Sequence, residues 1–177
     1  MGSPAIRAPQ GGQRHPTGLA GFNAAAPGLA EELLLGCCAS RRWAERVAAH
    51  RPYPTLDALL AAADEAGYDL SAADLDEALA QESSAASAAL HPHAPAAALT
   101  ALRAARAAYE SRFGHAFVIS LDGVRPGERL DQVLAALRSR LGNEPDEERA
   151  ITADELRRLA RTRLVHLVSR QNLSGMR

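Results

Sequence analysis

Glu82, His91, His93, His115 and Arg140 are the residues whose types and positions could do chemistry. Glu82 stands where a predicted helix ends and a loop begins. A carboxylate there is disfavoured by the helix dipole, which suits a general acid or base; the plainer reading is a solvated surface acid. His115 directly follows Gly114 and could move a proton at a corner, or could be a hydrogen-bonded structural histidine. His91-Pro92-His93 offers two imidazoles two residues apart, but the third and fourth ligands of a zinc site are missing, so a solvated loop is the simplest account. Arg138 and Arg140 cannot both face inward on one helix. Arg140, at the edge of the apolar stripe, could grip a carboxylate with its planar fork, or pair with Glu144, Glu147 or Glu148. Cys37 and Cys38 have no histidine near them in sequence and read as core. Lysine Schiff-base chemistry is excluded, because the 20 basic residues are all arginine.

The elements that must position these groups are helices. Gly18–Asn23 reads as an ordered lead-in to a helix whose first turns carry Glu31 and Glu32, with Leu29, Leu33, Leu34, Cys37 and Cys38 along its buried face. A helix over about 40–49 presents Trp43 and Val47, and Arg51-Pro52-Tyr53-Pro54 ends it. Thr55 caps the next, whose inward stripe is Leu56, Leu59, Leu60 and Ala63 and whose end is set at Gly67. Ser71 and Asp74 have capping-box spacing for another. The low-complexity run 83–95 is a loop. A long helix over 96–112 carries Leu99, Leu102, Arg106, Tyr109 and Phe113 near one face, then breaks at Gly114. The short apolar run Phe117-Val118-Ile119 follows, and backbone N–H groups just past such a break can bind a ligand.

Pro126-Gly127-Glu128 opens a helix with Leu130, Val133, Leu134, Leu137 and Leu141 in period, stopped by Gly142-Asn143. Glu144–Glu148 reads as acidic and exposed. Thr152 and Glu155 supply a second capping box, for a last helix in which Leu156, Leu159, Arg163, Leu164, Leu167 and Val168 line up beside a dense arginine face. With no run able to build a sheet, the expected fold is an all-α single-domain bundle of seven or eight helices over 19–170. Residues 1–18, rich in Gly and Pro, read as a disordered tail, and 171–177 as a frayed end.

Composition narrows the function. A net charge of −1 and a pI near 6.6 argue against nucleic acid or an anionic membrane as the main partner. No apolar run approaches the ~18 residues of a membrane span. The missing signal-peptide pattern and the adjacent cysteines suggest a cytoplasmic, reducing setting.

Four blocks, in order, resemble the family of 2-oxo-4-hydroxy-4-carboxy-5-ureidoimidazoline (OHCU) decarboxylases. They are LAGFN with LLLGCCASRRWAERVAAHRPYPTLDALLAAAD; YESRFGHAFVISLDG; LAALRSRLGNEPDEE; and ADELRRLARTRLVHL. The resemblance implies an all-α bundle, often a homodimer, that uses no cofactor and acts on a small ureidoimidazoline. The implied reaction, in urate and purine breakdown, removes a carboxylate and adds a proton to one face of the ring, giving (S)-allantoin. It also implies a pocket wall from Phe117, Val118, Ile119, Ser120 and Leu121, and anion binding by Arg140.

The proton donor departs from the family pattern. The usual acid is the histidine of a His-Pro dipeptide, helped by a later Glu-Gln. Here Glu82 falls in the histidine slot and Ser83 in the proline slot, the following segment is short, and no Glu-Gln follows. Glu82 could replace the histidine, or His91 of the genuine His91-Pro92 pair could swing in from a remodelled loop. Otherwise the chain is a non-catalytic paralogue that binds a ligand or a protein.

Overall fold

The computed structural model describes residues 18–82 and 95–169, within which the chain forms eight α-helices and no strand. They are α1 (Gly18–Ala24), α2 (Pro27–Leu35), α3 (Arg41–Ala49), α4 (Leu56–Tyr68), α5 (Ala72–Ala80), α6 (Ala96–Phe113), α7 (Arg129–Arg140) and α8 (Pro145–Ser169), with a 3₁₀ turn at Pro126–Glu128 before α7. The all-α expectation holds. The expected tail lies outside the described residues except for Gly18, which opens α1; the loop expected over 83–95 lies outside them except for Pro95, and the end expected to fray at 171–177 lies wholly outside.

The local signals explain most boundaries. Ser40 caps α3 by accepting from Trp43 N–H at 3.3 Å, and Thr55 caps α4 by accepting from Ala58 N–H at 3.1 Å. At the start of α5 the capping box is reciprocal: Ser71 N–H donates to Asp74 at 2.9 Å, and Asp74 N–H to Ser71 Oγ at 3.3 Å. Gly114 ends α6 in the left-handed region, φ 75°, with its N–H donating to the Glu110 carbonyl at 2.9 Å.

Three expectations need correction. The lead-in Gly18–Asn23 is itself a helix, α1, and Glu31 and Glu32 lie beyond the first turn of α2, which Pro27 opens. Gly67 does not end α4 but sits buried inside it, because a Cβ there would come within 2.8 Å of Arg157 on α8. It is a close-approach glycine. The largest change concerns α8, which begins at Pro145 and runs through Thr152 without a break. Thr152 is buried rather than capping, and Glu148 is wholly buried rather than exposed. Glu148, Thr152, Leu156, Ala160 and Leu164 recur every four residues as one inward stripe.

Two apolar cores result. The larger unites α1–α5 with α8 around Phe22, Leu34, Trp43, Leu59, Leu79, Leu156 and Leu164. Its polar atoms are satisfied: Trp43 Nε1 donates to the Ala63 carbonyl at 2.9 Å, and Tyr53 Oη to the Val47 carbonyl at 2.7 Å. The smaller packs α6 on α7 through Leu102, Tyr109, Phe117, Val133 and Leu137. The extended segment 115–121 passes between them. Phe117, Ile119 and Leu121 join the smaller core and Val118 the larger, the two-residue alternation of extended chain.

Candidate active site

A cavity of about 460 Å³ opens where α5, α6 and the extended segment meet, a size typical of small-molecule pockets (~300–1,000 Å³). Asp76, Leu79 and Ala80 of α5 line one part, with Glu82 just beyond that helix; Glu110, Gly114, His115 and Ala116 line the rest. The two ends that the sequence singled out therefore converge. Glu82 and His115, 33 positions apart in the chain, share one cavity.

Glu82 is not a solitary carboxyl. Arg163 of α8 grips it with both arms of its guanidinium, Nη1 to Oε1 at 2.6 Å and Nη2 to Oε2 at 2.9 Å, and also donates from Nη1 to the Cys37 carbonyl at 3.1 Å. The hydrogen bonds to Glu82 outweigh burial and hold the Arg163 guanidinium above its ordinary pKa. Both Glu82 oxygens accept hydrogen bonds, which is the role of an ionised carboxylate rather than of a protonated donor. Sequence reasoning gave Arg163 no part in the site. The available signal was its position inside the apolar stripe of the last helix, where an arginine needs a buried partner.

His115 makes a hydrogen bond between Nδ1 and the Ala116 carbonyl at 3.1 Å. A carbonyl can only accept, so Nδ1 carries the hydrogen and Nε2 is the nitrogen left to exchange a proton. The rings of Tyr109 and His115 pack in a T at 5.6 Å between centroids, and the His115 ring lies 6.2 Å from that of Phe113. His91 lies outside the described residues.

The pocket-wall residues sit differently from the cavity liners. Phe117 and Val118 are buried in the two cores, while Ile119, Ser120 and Leu121 are half-buried. Of the extended stretch, Ala116 is the residue that borders this cavity. Ser120 N–H donates to Glu155 Oε2 at 2.7 Å, so that amide is already taken.

Arg140 lies behind this segment, 6% exposed. Its Nη2 and Nε donate to Glu148 Oε1 at 2.6 and 2.8 Å, Nη1 to the Val118 carbonyl at 2.7 Å, and Nη2 also to Thr152 Oγ1 at 3.1 Å. Tyr109 Oη donates a short hydrogen bond to the same Glu148 oxygen, and Asn143 Nδ2 donates to Oε2 at 2.9 Å. Burial alone would raise the Glu148 carboxyl, but the donors from Arg140, Tyr109 and Asn143 outweigh it and hold its pKa below the ordinary value. Burial first, and then the bond to Glu148, push Tyr109 up to about 12. In this arrangement Arg140 meets a protein carboxylate and fixes the Val118 backbone, the ion-pair alternative raised by its spacing.

Cys37 and Cys38 are buried free thiols, pushed by burial up to about 12 and about 11, as core residues should be. Among the described residues no cluster of His, Cys, Asp and Glu could hold a metal, and no helix is long and apolar enough to cross a membrane.

The profile of the family described as OHCU decarboxylase matches residues 23–165, most of the chain and all of the elements that build the cavity. The chain belongs to that family. Among solved structures it is similar to an (S)-allantoin synthase, with a TM-score of 0.68, 19% identity, and coverage of 87% of this chain and 54% of that one. It is also similar to an OHCU decarboxylase crystallised in the presence of (S)-allantoin, with a TM-score of 0.65, 23% identity, and coverage of 78% and 98%. At these identities the likeness establishes the fold, and the chain spans about half the length of the allantoin synthase. No curated protein matches.

Proposed function

We propose that this chain decarboxylates OHCU to (S)-allantoin in urate breakdown, without a cofactor and with a side-chain proton donor. The observation that carries the reading is the convergence of Glu82 and His115 on one cavity of about 460 Å³ within a fold of this family. The reaction breaks the bond between a ring carbon and its carboxylate. CO₂ departs, the electron pair passes into the imidazoline ring, and a proton must then arrive at one face.

Glu82 suits the histidine's place in a changed role. Held by Arg163, its carboxylate can accept from the N–H groups of a ureido substituent and orient the ring. His115 suits the donor, because its Nδ1 is engaged with the Ala116 carbonyl and Nε2 is the ring nitrogen left to pass a proton. His91, which lies outside the described residues, is the other candidate donor.

A second reading follows from the Glu82–Arg163 pair itself. A slot filled by a closed ion pair also suits a non-catalytic binding protein, whose cavity would hold allantoin without turning OHCU over.

Freshly generated OHCU supplies the test. The wild type is expected to exceed the spontaneous decay rate modestly. His115→Asn should bring the rate down to the spontaneous one, since a general acid is usually worth about 10²–10⁴-fold, while still being stabilised by allantoin. Glu82→Gln should weaken both binding and turnover. Stabilisation by allantoin with no rate above spontaneous decay selects the binding protein; neither effect sinks both readings.

A further inference from the structure

Arg106, on the inward face of α6, is a charge that no side chain among the described residues balances in an ion pair. It is only 6% exposed, and its Nε is buried without a hydrogen-bond partner. All 21 Asp and Glu side chains lie among the described residues, and none of them forms an ion pair with it. Residues 83–94 carry no acidic side chain that could serve instead. Burial pushes the Arg106 guanidinium below its ordinary pKa, and Glu110, one helical turn away, offsets this only in part. A buried cation without a counterion costs stability, and it persists where something outside the chain balances it.

Arg106 is not itself among the residues that line the cavity, but its neighbours are. Glu110 and Ala116 both line the cavity, and the guanidinium carbon of Arg106 lies 5.6 Å from the ring centroid of Phe117, the next residue after Ala116. Packing on that ring holds the flat group in place without using its donors. We infer that Arg106 is an anion-binding residue of this cavity, reserved for the carboxylate of a ureido-substituted ligand. The inference rests on the pocket proposed above as the active site and adds the group that meets the ligand's negative charge. Arg140 does not supply it, since Glu148 neutralises that guanidinium within the protein.

Allantoin, which is neutral, and allantoate, which carries a carboxylate on a similar ureido skeleton, separate charge from shape. Allantoate should raise the melting temperature of the wild type more than allantoin does at equal concentration. Arg106→Met should melt at or above the wild-type temperature when free, because it removes an uncompensated charge. It should bind allantoate at least about tenfold more weakly, the usual worth of a charge-assisted hydrogen bond, and keep its affinity for allantoin. Arg106→Lys should recover part of the allantoate binding.

Allantoate binding that survives Arg106→Met unchanged overturns the inference, as does a variant that melts well below the wild type. If allantoin binds but allantoate gains nothing over it, the Arg106 assignment fails and the pocket stands. If neither binds, the pocket itself fails. Loss of OHCU turnover with Arg106-dependent allantoate binding intact removes the catalytic reading alone.

Discussion

Arg140 and Arg106 lie against the same aromatic ring and have opposite surroundings. The guanidinium carbons are 4.5 Å and 5.6 Å from the centroid of Phe117, and each residue is 6% exposed. Around Arg140 the chain supplies a carboxylate, a backbone carbonyl and two hydroxyl groups. Among the described residues Arg106 has no ion pair, and its Nε has no hydrogen-bond partner. A buried charge matched within the chain builds the scaffold; one left unmatched is held for something that comes and goes. The comparison assigns the cluster around Arg140, Glu148, Thr152 and Tyr109 to holding the extended segment in register, and assigns Arg106 to the ligand.

Stability measurements can break this contrast. Glu148→Ala strands Arg140 in the interior and should cost about 3–5 kcal/mol, the usual penalty for breaking a buried pair, read as a lower urea midpoint at unchanged slope. Arg106→Met should show no such loss. Equal destabilisation by the two changes would erase the distinction, since Arg106 would then be as structural as its neighbour.

Acid sharpens the same point by a smaller amount. Hydrogen bonds from Arg140, Tyr109 and Asn143 hold the folded-state pKa of Glu148 below that of an ordinary glutamate, so its contribution is present above the ordinary value and is lost as pH falls through the folded pKa. Wild-type stability should therefore drop on acidification below about pH 4.5. In Glu148→Gln, which starts less stable, that part of the slope should be missing. An unchanged acid profile in the variant would mean that other carboxylates govern the acid limb.

Much of the fold was legible because it rests on local chemistry. The caps at Thr55 and Ser71, the stop at Gly114 and the stripe Leu130–Leu141 all report interactions within a few residues. Misreadings occurred where a distant partner overrode a local signal. Gly67 looked like a helix end because glycine often ends helices, but the approach of Arg157 from α8 is what requires it. Thr152 and Glu155 have capping-box spacing, yet the four-residue stripe continues back to Glu148, whose burial depends on Arg140, eight residues earlier. Of the candidate site, Glu82 and His115 could be picked out by residue type and position, but not their convergence. The Glu82–Arg163 pair spans 81 residues and leaves no trace in spacing. Arg106 was visible as an arginine on an apolar face; its lack of a counterion became visible only when every carboxylate had a place.

The central claim is that the cavity between α5, α6 and the extended segment delivers a proton to one face of an imidazoline ring. Circular dichroism of the allantoin formed from OHCU tests it most directly, because spontaneous decay protonates both faces equally. Wild-type protein should give an excess of (S)-allantoin that grows with protein concentration and disappears in His115→Asn. Racemic allantoin at every protein concentration would contradict it.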